Sequence, residues 1–305
     1  MNGHYICPMT EQFTIRPKGP FSLEEAANFG FGQRLDTKWD GVLRFAFCVD
    51  GYREQVGVEI RQEHLDVDCV MHGEADPSVV ERQVARVLSL DYDGEAFLEV
   101  GRRDPIIGRL QAVAPGLRPP LFYSPYEAAA WSIISAGRPA RQMAEVRRQL
   151  SEAHGRVFEL AGQPMAALPL PEQLLAIDSF PGLTPEKIDR LHGVAGAAMD
   201  GQLDVGRIQA MGPDVAMEDL RSLKGIGPFY SALIVVRGSG FADLPVAEPM
   251  ALEIVGRLYG LSGPPSEDEF LQMAERWKPF RTWAIVLIRA AGPRLLAASA
   301  SSPSG

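Results

Sequence analysis

Cysteine is scarce in this 305-residue chain, and Cys7, Cys48 and Cys69 are scattered and odd in number. That argues against a disulfide frame or a cysteine metal centre and predicts reduced, buried thiols. Long hydrophobic runs are missing as well: no stretch reaches the roughly 18 apolar residues a membrane span needs, so no membrane association is expected. The opening MNGHYICPMTEQFTIRPKG has no charged leader followed by an apolar stretch, so a cytoplasmic location is expected. Histidine is sparse, and His154 and His192 have no partner at metal-ligand spacing, so neither a metal nor a cofactor is implied. Low-complexity blocks and long-period repeats are absent. An excess of positive charge is also absent: the net charge is −9, which at first argues against a nucleic-acid partner.

What is present softens that last objection. Residues 1–115 carry 12 Lys+Arg against 19 Asp+Glu, whereas residues 116–305 carry 18 against 20. Acidity therefore sits in the first part and the rest is close to neutral. The length and a 46% hydrophobic content suit two domains with sizeable cores.

The text over 42–72 alternates in short β-rich runs broken at Asp50-Gly51, which predicts a meander of antiparallel strands. Residues 78–90 then place Val80, Val84, Val87 and Leu88 on one helical face. From Tyr126 onward the pattern is helix upon helix, with Pro or Ser/Asp near the starts and Gly after the ends. The expectation is an α+β N-terminal domain over 1–114, an all-α domain over 115–296 and a flexible tail over 297–305.

The most informative stretch is Leu223-Lys224-Gly225-Ile226-Gly227-Pro228-Phe229-Tyr230. A helix ends at Gly225, the chain turns, and Pro228 opens the next helix. Two glycines let the backbone take positive φ and accept a close neighbour, with Ile226 plugging the gap between the helices. The free N–H groups of the second helix's first turn would face an anion such as a DNA phosphate, gripped without reading sequence. An ordinary αα-hairpin with a Gly cap is the plainer alternative.

These residues, with Ala232, resemble the helix–hairpin–helix motif of the base-excision DNA glycosylases. The likeness is widest to the AlkA-like branch, the 3-methyladenine DNA glycosylase II type. Pro115–Pro120 with Tyr126-Glu127 is similar to that branch's domain junction, and Phe180–Leu183 with Lys187 and Met199–Leu203 to its next helical pair. Ala274–Ala284 is similar to its last segment, so the likeness spans about residues 112–292. The strand meander is compatible with the TATA-binding-protein-like domain that precedes the helices in this branch.

The resemblance implies a DNA glycosylase acting on alkylated bases, purines foremost, in damaged double-stranded DNA as part of base excision repair. It implies a monomer, with a damaged base flipped out of the duplex. The bifunctional relatives place a nucleophilic Lys where this chain has Phe229, so no lyase step is expected. The family's catalytic Asp position falls on Pro249, with Glu248 its neighbour at a helix entrance. Glu248 is the candidate carboxylate, or only decorates the helix start, and Asp243 is the backup. The wedge that fills the flipped base's gap maps to Gly137, where Arg138 can enter the gap or contact phosphate. A base-stacking aromatic maps to Arg289, which can stack through its guanidinium or form a helix ion pair. Tyr123, Tyr126 and Trp131 are further candidates for a base pocket, with core packing the alternative for Trp131. Pro249 at the catalytic position also leaves open a non-catalytic damaged-DNA-binding homologue, or a glycosylase for unusual bulky adducts.

Overall fold

The computed structural model describes residues 10–29 and 39–301. β1 (Thr10–Ile15), β2 (Leu43–Cys48), β3 (Gln55–Glu63) and β4 (Asp66–His72) form one antiparallel sheet in the order β1-β4-β3-β2. The expected meander is β2–β3–β4, and β1 adds to its edge by pairing Phe13 with Cys69. Alternation along β4 sends Val67, Cys69 and Met71 inward, as a period of two requires. Helices α1 (Leu23–Phe29) and α2 (Pro77–Val87) supply the rest of this core through Leu23, Ala26, Val80 and Val84. Cys48 and Cys69 are free and buried, while Cys7 lies outside the described residues.

The remainder is mainly helical: α3 (Gly94–Arg103), α4 (Pro105–Val113), α5 (Pro125–Ser135), α6 (Ala140–His154), α7 (Pro171–Leu175), α8 (Pro185–Met199), α9 (Val205–Met211), α10 (Pro213–Leu220), α11 (Pro228–Leu233), α12 (Pro249–Leu258), α13 (Glu267–Ala274) and α14 (Arg281–Ser301). Proline opens α4, α5, α8, α10, α11 and α12, where its missing N–H costs no hydrogen bond. Ser124 caps α5 and Thr184 caps α8 through side-chain oxygens. Among the described residues no helix is long and apolar enough to cross a membrane.

Three expectations need correction. The segment after α6 is not all-α: β5 (Val157–Leu160) and β6 (Gln163–Ala166) form a hairpin. Its turn is Ala161-Gly162, both at positive φ, and Phe158 and Leu160 pack against Ala46 of the sheet. Four-residue strands fall below the length at which alternation is legible. Second, the boundary drawn at residue 114 does not separate cores. Phe97, Val100, Ile107 and Leu110 of α3 and α4 pack with Ile254, Phe270, Trp277 and Trp283. The chain thus begins its helical half with α3 and α4, before crossing to α5. Third, α14 continues to Ser301, so 297–301 extend the last helix rather than fray; residues 302–305 lie outside the described residues.

Two helical cores result. One gathers α5, α6, α8, α10 and the π-helical turn Ile234–Gly238 around Tyr126, Ile133, Leu191 and Ile226. The other gathers α3, α4 and α12–α14.

Candidate active site

A pocket of about 160 Å³ opens at the seam between these two cores. Three segments line it, each by its own period. From α11 and the π-helical turn come Phe229, Ala232, Leu233, Val236 and Arg237, and from α14 come Thr282, Ile285, Val286 and Arg289. Both sets recur at three, four and seven residues, one face of a helix. The extended link between them contributes Leu244, Val246 and Glu248, at a period of two. A π-helical turn inserts an extra residue into the ladder, a device that recurs at functional sites.

Glu248 is the residue before Pro249 and stays extended, φ −99° and ψ 134°, as a residue preceding proline is driven to do. Its carbonyl accepts the Leu252 N–H at 3.0 Å, the first hydrogen bond of the helix. Its side chain makes no capping bond and instead takes Arg289 Nη1 at 2.8 Å on Oε2. The carboxylate therefore sits at the N-terminal end of α12 and against a guanidinium. Arg289 Nη2 reaches Met250 Sδ at 3.6 Å, and its buried Nε has no hydrogen-bond partner among the described residues. Arg237 is buried behind them, donating to the Pro120 carbonyl with its guanidinium 5.7 Å from the Phe29 ring centroid. Burial first, then the Arg289 charge, pull its pKa well down, while Glu248 opposes that shift.

The glycine hairpin adjoins the pocket. Ile226 is 3% exposed and plugs the helix gap, its N–H donating to the Leu223 carbonyl at 2.9 Å. Gly225 sits at φ +93°, where a Cβ would come within 2.9 Å of Arg190 Cδ and Ile133 Cδ1. Gly227 is extended and a Cβ there would meet nothing. Gly225→Ala is therefore expected to destabilise the fold by about 1–3 kcal/mol, and Gly227→Ala by much less. Thermal unfolding of the two variants side by side checks this; equal losses would mean the left-handed turn is not what requires glycine.

Phe229 is 60% exposed, packs edge-on against Tyr230 at 5.3 Å and also lines the pocket, so one side chain joins hairpin to pocket. The loop carrying Gly137 and Arg138 lies beyond the end of α5, and Ile133 of α5 approaches Gly225, so loop and hairpin adjoin. Gly137 has φ +69° and Arg138 is exposed. Lys187 Nζ pins this loop by donating to the carbonyls of Ile134 and Ala136 at 2.6 and 2.9 Å. Burial first, then the charges of Arg138 and Arg190, lower its pKa.

Other expected site residues lie elsewhere. Tyr123 packs between Phe45 and Phe47, with ring centroids 5.0 and 5.3 Å away, and Tyr126 donates to the Pro169 carbonyl at 2.8 Å. Trp131 belongs to the core around α5. None of the three lines the pocket, because α5 is buried on every side from Pro125 to Ile134 and its aromatics serve packing. Asp243 is not a free carboxylate either: Arg281 Nε holds one oxygen at 2.7 Å and Nη2 the other at 3.1 Å, which anchors the start of α14. Of the base-pocket candidates only Arg289 lines the pocket. Arg237, Leu244, Val246, Thr282, Ile285 and Val286 also line the pocket, and the 282–285–286–289 spacing is the sequence signal for the α14 set.

No family model matches the chain. It is 26% identical over 249 residues to the probable bifunctional transcriptional activator/DNA repair enzyme AlkA of Mycobacterium tuberculosis, covering 80% of this chain and 49% of that protein. The chain thus spans about half the length of that curated relative. Among solved structures, the 3-methyladenine DNA glycosylase from Archaeoglobus fulgidus superposes with a TM-score of 0.76 at 22% identity, covering 93% of this chain and 99% of that one. The 8-oxoguanine glycosylase/lyase of Clostridium acetobutylicum, in complex with double-stranded DNA, superposes with a TM-score of 0.67 at 16% identity, covering 94% and 98%. Over most of its length the chain is thus similar in sequence to AlkA and in fold to these DNA glycosylases.

Proposed function

We propose that the chain is a monofunctional DNA glycosylase that hydrolyses the N-glycosidic bond of alkylated bases, purines foremost, in duplex DNA. The observation that carries this is the position of Glu248, a carboxylate in a largely apolar pocket that the hairpin's Phe229 also lines. The hairpin around Gly225, Ile226, Gly227, Phe229 and Tyr230 would hold phosphate, and Arg138 on the adjoining loop would meet the duplex beside the extruded nucleotide. Flipping costs a few kcal/mol, least for a poorly paired damaged base. Once the base is seated, Glu248 stabilises the positive charge that develops on the sugar as the C1′–N bond opens. Water then adds to C1′, giving up its proton, and an abasic site remains.

Phe229 stands at the place of the lyase lysine and offers no amine, so the strand stays uncut. The four-stranded sheet would correspond to the TATA-binding-protein-like domain of the AlkA-like branch, and one monomer would serve one duplex, in the cytoplasm. The test is single-turnover release of methylated purines from duplex DNA treated with a methylating agent. Expected are free base, a strand that breaks only after alkali, and no borohydride-trapped covalent complex. A trapped complex would refute the monofunctional reading, and bound DNA without base release would refute the catalytic one.

A further inference from the structure

The pocket's guanidinium has a use beyond pairing with Glu248. Breaking the C1′–N bond leaves both bonding electrons on the base nitrogen. A base that carries a positive charge from alkylation then departs neutral and needs no help. A neutral alkylated base departs as an anion and needs a positive group or a proton beside it. Arg289 supplies such a group. It reaches the pocket from α14, is held in place by Glu248 at 2.8 Å through Nη1, and keeps a buried Nε–H with no acceptor among the described residues. Its side chain stays 36% exposed despite the ion pair, so a base in the pocket can still reach the guanidinium.

The same ion pair works against a cationic base. The Glu248 charge, which would attract such a base, is already offset by Arg289 at hydrogen-bond distance. The pocket then sets two guanidinium groups, Arg289 and Arg237, against one carboxylate, and like charges in a partly apolar pocket repel. The lining around the pair is Leu233, Val236, Leu244, Val246 and Ile285, which solvates a neutral ring better than a cation.

Resting on the glycosylase reading above, we infer that Arg289 donates to the departing base, and that the pocket is thereby matched to neutral alkylated bases rather than cationic ones. The balance of the step is complete without a further reactant. The base leaves with the bonding pair, its negative charge is met by the Arg289 donor, and it takes a proton from solvent on release. Water supplies hydroxide to C1′ and its proton passes to Glu248 and then to solvent.

The experiment compares two duplexes, one with a single 1,N6-ethenoadenine, which is neutral, and one with a single 7-methylguanine, which is cationic. Single-turnover release is expressed as enhancement over the spontaneous loss of each base. The expected result for the unaltered protein is an enhancement for ethenoadenine larger by about 10²-fold, the size of one well-placed donor. Arg289→Gln should collapse that ratio by a similar factor, and Arg289→Lys should retain much of it. An equal or larger enhancement for 7-methylguanine in the unaltered protein overturns the inference while leaving the glycosylase reading intact. So does an Arg289→Gln protein, folded by circular dichroism, that slows both lesions alike, since that is what a merely structural role would do. Release of neither base, with duplex still bound, fails the glycosylase reading itself. The comparison on the unaltered protein stands even where a variant does not fold.

Discussion

Glu248→Gln is expected to slow single-turnover base release by about 10²–10³-fold, the cost of removing one electrostatic stabiliser of a charged transition state. Glutamine keeps the shape and still offers Arg289 an oxygen, so the 2.8 Å contact can persist while the negative charge is lost. The substitution thus separates charge from geometry. Its effect is on the chemical step: the hairpin around Gly225 and the loop around Arg138 are untouched, so duplex affinity measured by titration should change far less than the rate. Full release by Glu248→Gln would remove this carboxylate from the mechanism. No other carboxylate lines the pocket among the described residues, and Asp243 has both oxygens engaged by Arg281. Such a result would leave water and Arg289 to carry the reaction between them.

Glu127→Ala should cost about 3–5 kcal/mol of stability, the range for breaking a buried ion pair from one side. In sequence Glu127 looks like an acidic residue in a helix's first turn, and Ser124 does cap its N–H at 3.2 Å. In the fold it is fully buried: Oε2 takes Arg147 Nη2 of α6 at 2.6 Å, and Oε1 takes the Cys48 N–H of β2 at 3.2 Å. One side chain therefore ties sheet to α5 to α6. Burial raises its pKa, with Arg147 the principal opposing influence. Alanine would leave the Arg147 guanidinium, itself 7% exposed as a side chain, buried without its carboxylate and the Cys48 N–H without an acceptor. Urea unfolding followed by both fluorescence and circular dichroism measures the loss. A cost below about 1 kcal/mol would show that water or a shifted side chain replaces the pair, because the buried charge cannot be left bare at that price.

Local patterns carried a good part of the fold. Alternation over 42–72 was enough for three strands of the sheet, since a strand half-covered by helices must alternate. Proline at helix starts and glycine after helix ends marked most helices. Gly225-Ile226-Gly227-Pro228 announced the hairpin because its turn needs positive φ, a close approach and a helix start in order. Pro249 likewise places Glu248 at a helix entrance from local sequence alone.

What the sequence by itself determined is thus what lies within a few residues of each position: strand faces, helix boundaries, the hairpin turn, the extended backbone at Glu248. Only the tertiary structure decided which helical faces look at one another. It brought Arg289, 41 residues away in sequence, onto Glu248, and turned Phe229 and Arg237 toward the same pocket. It also withdrew Tyr123, Tyr126 and Trp131 into the core, joined α3 and α4 to α14, and laid the β5–β6 hairpin on the sheet. The reason is that a period shows which face of an element is apolar, whereas burial and charge pairing depend on what long-range packing sets opposite that face.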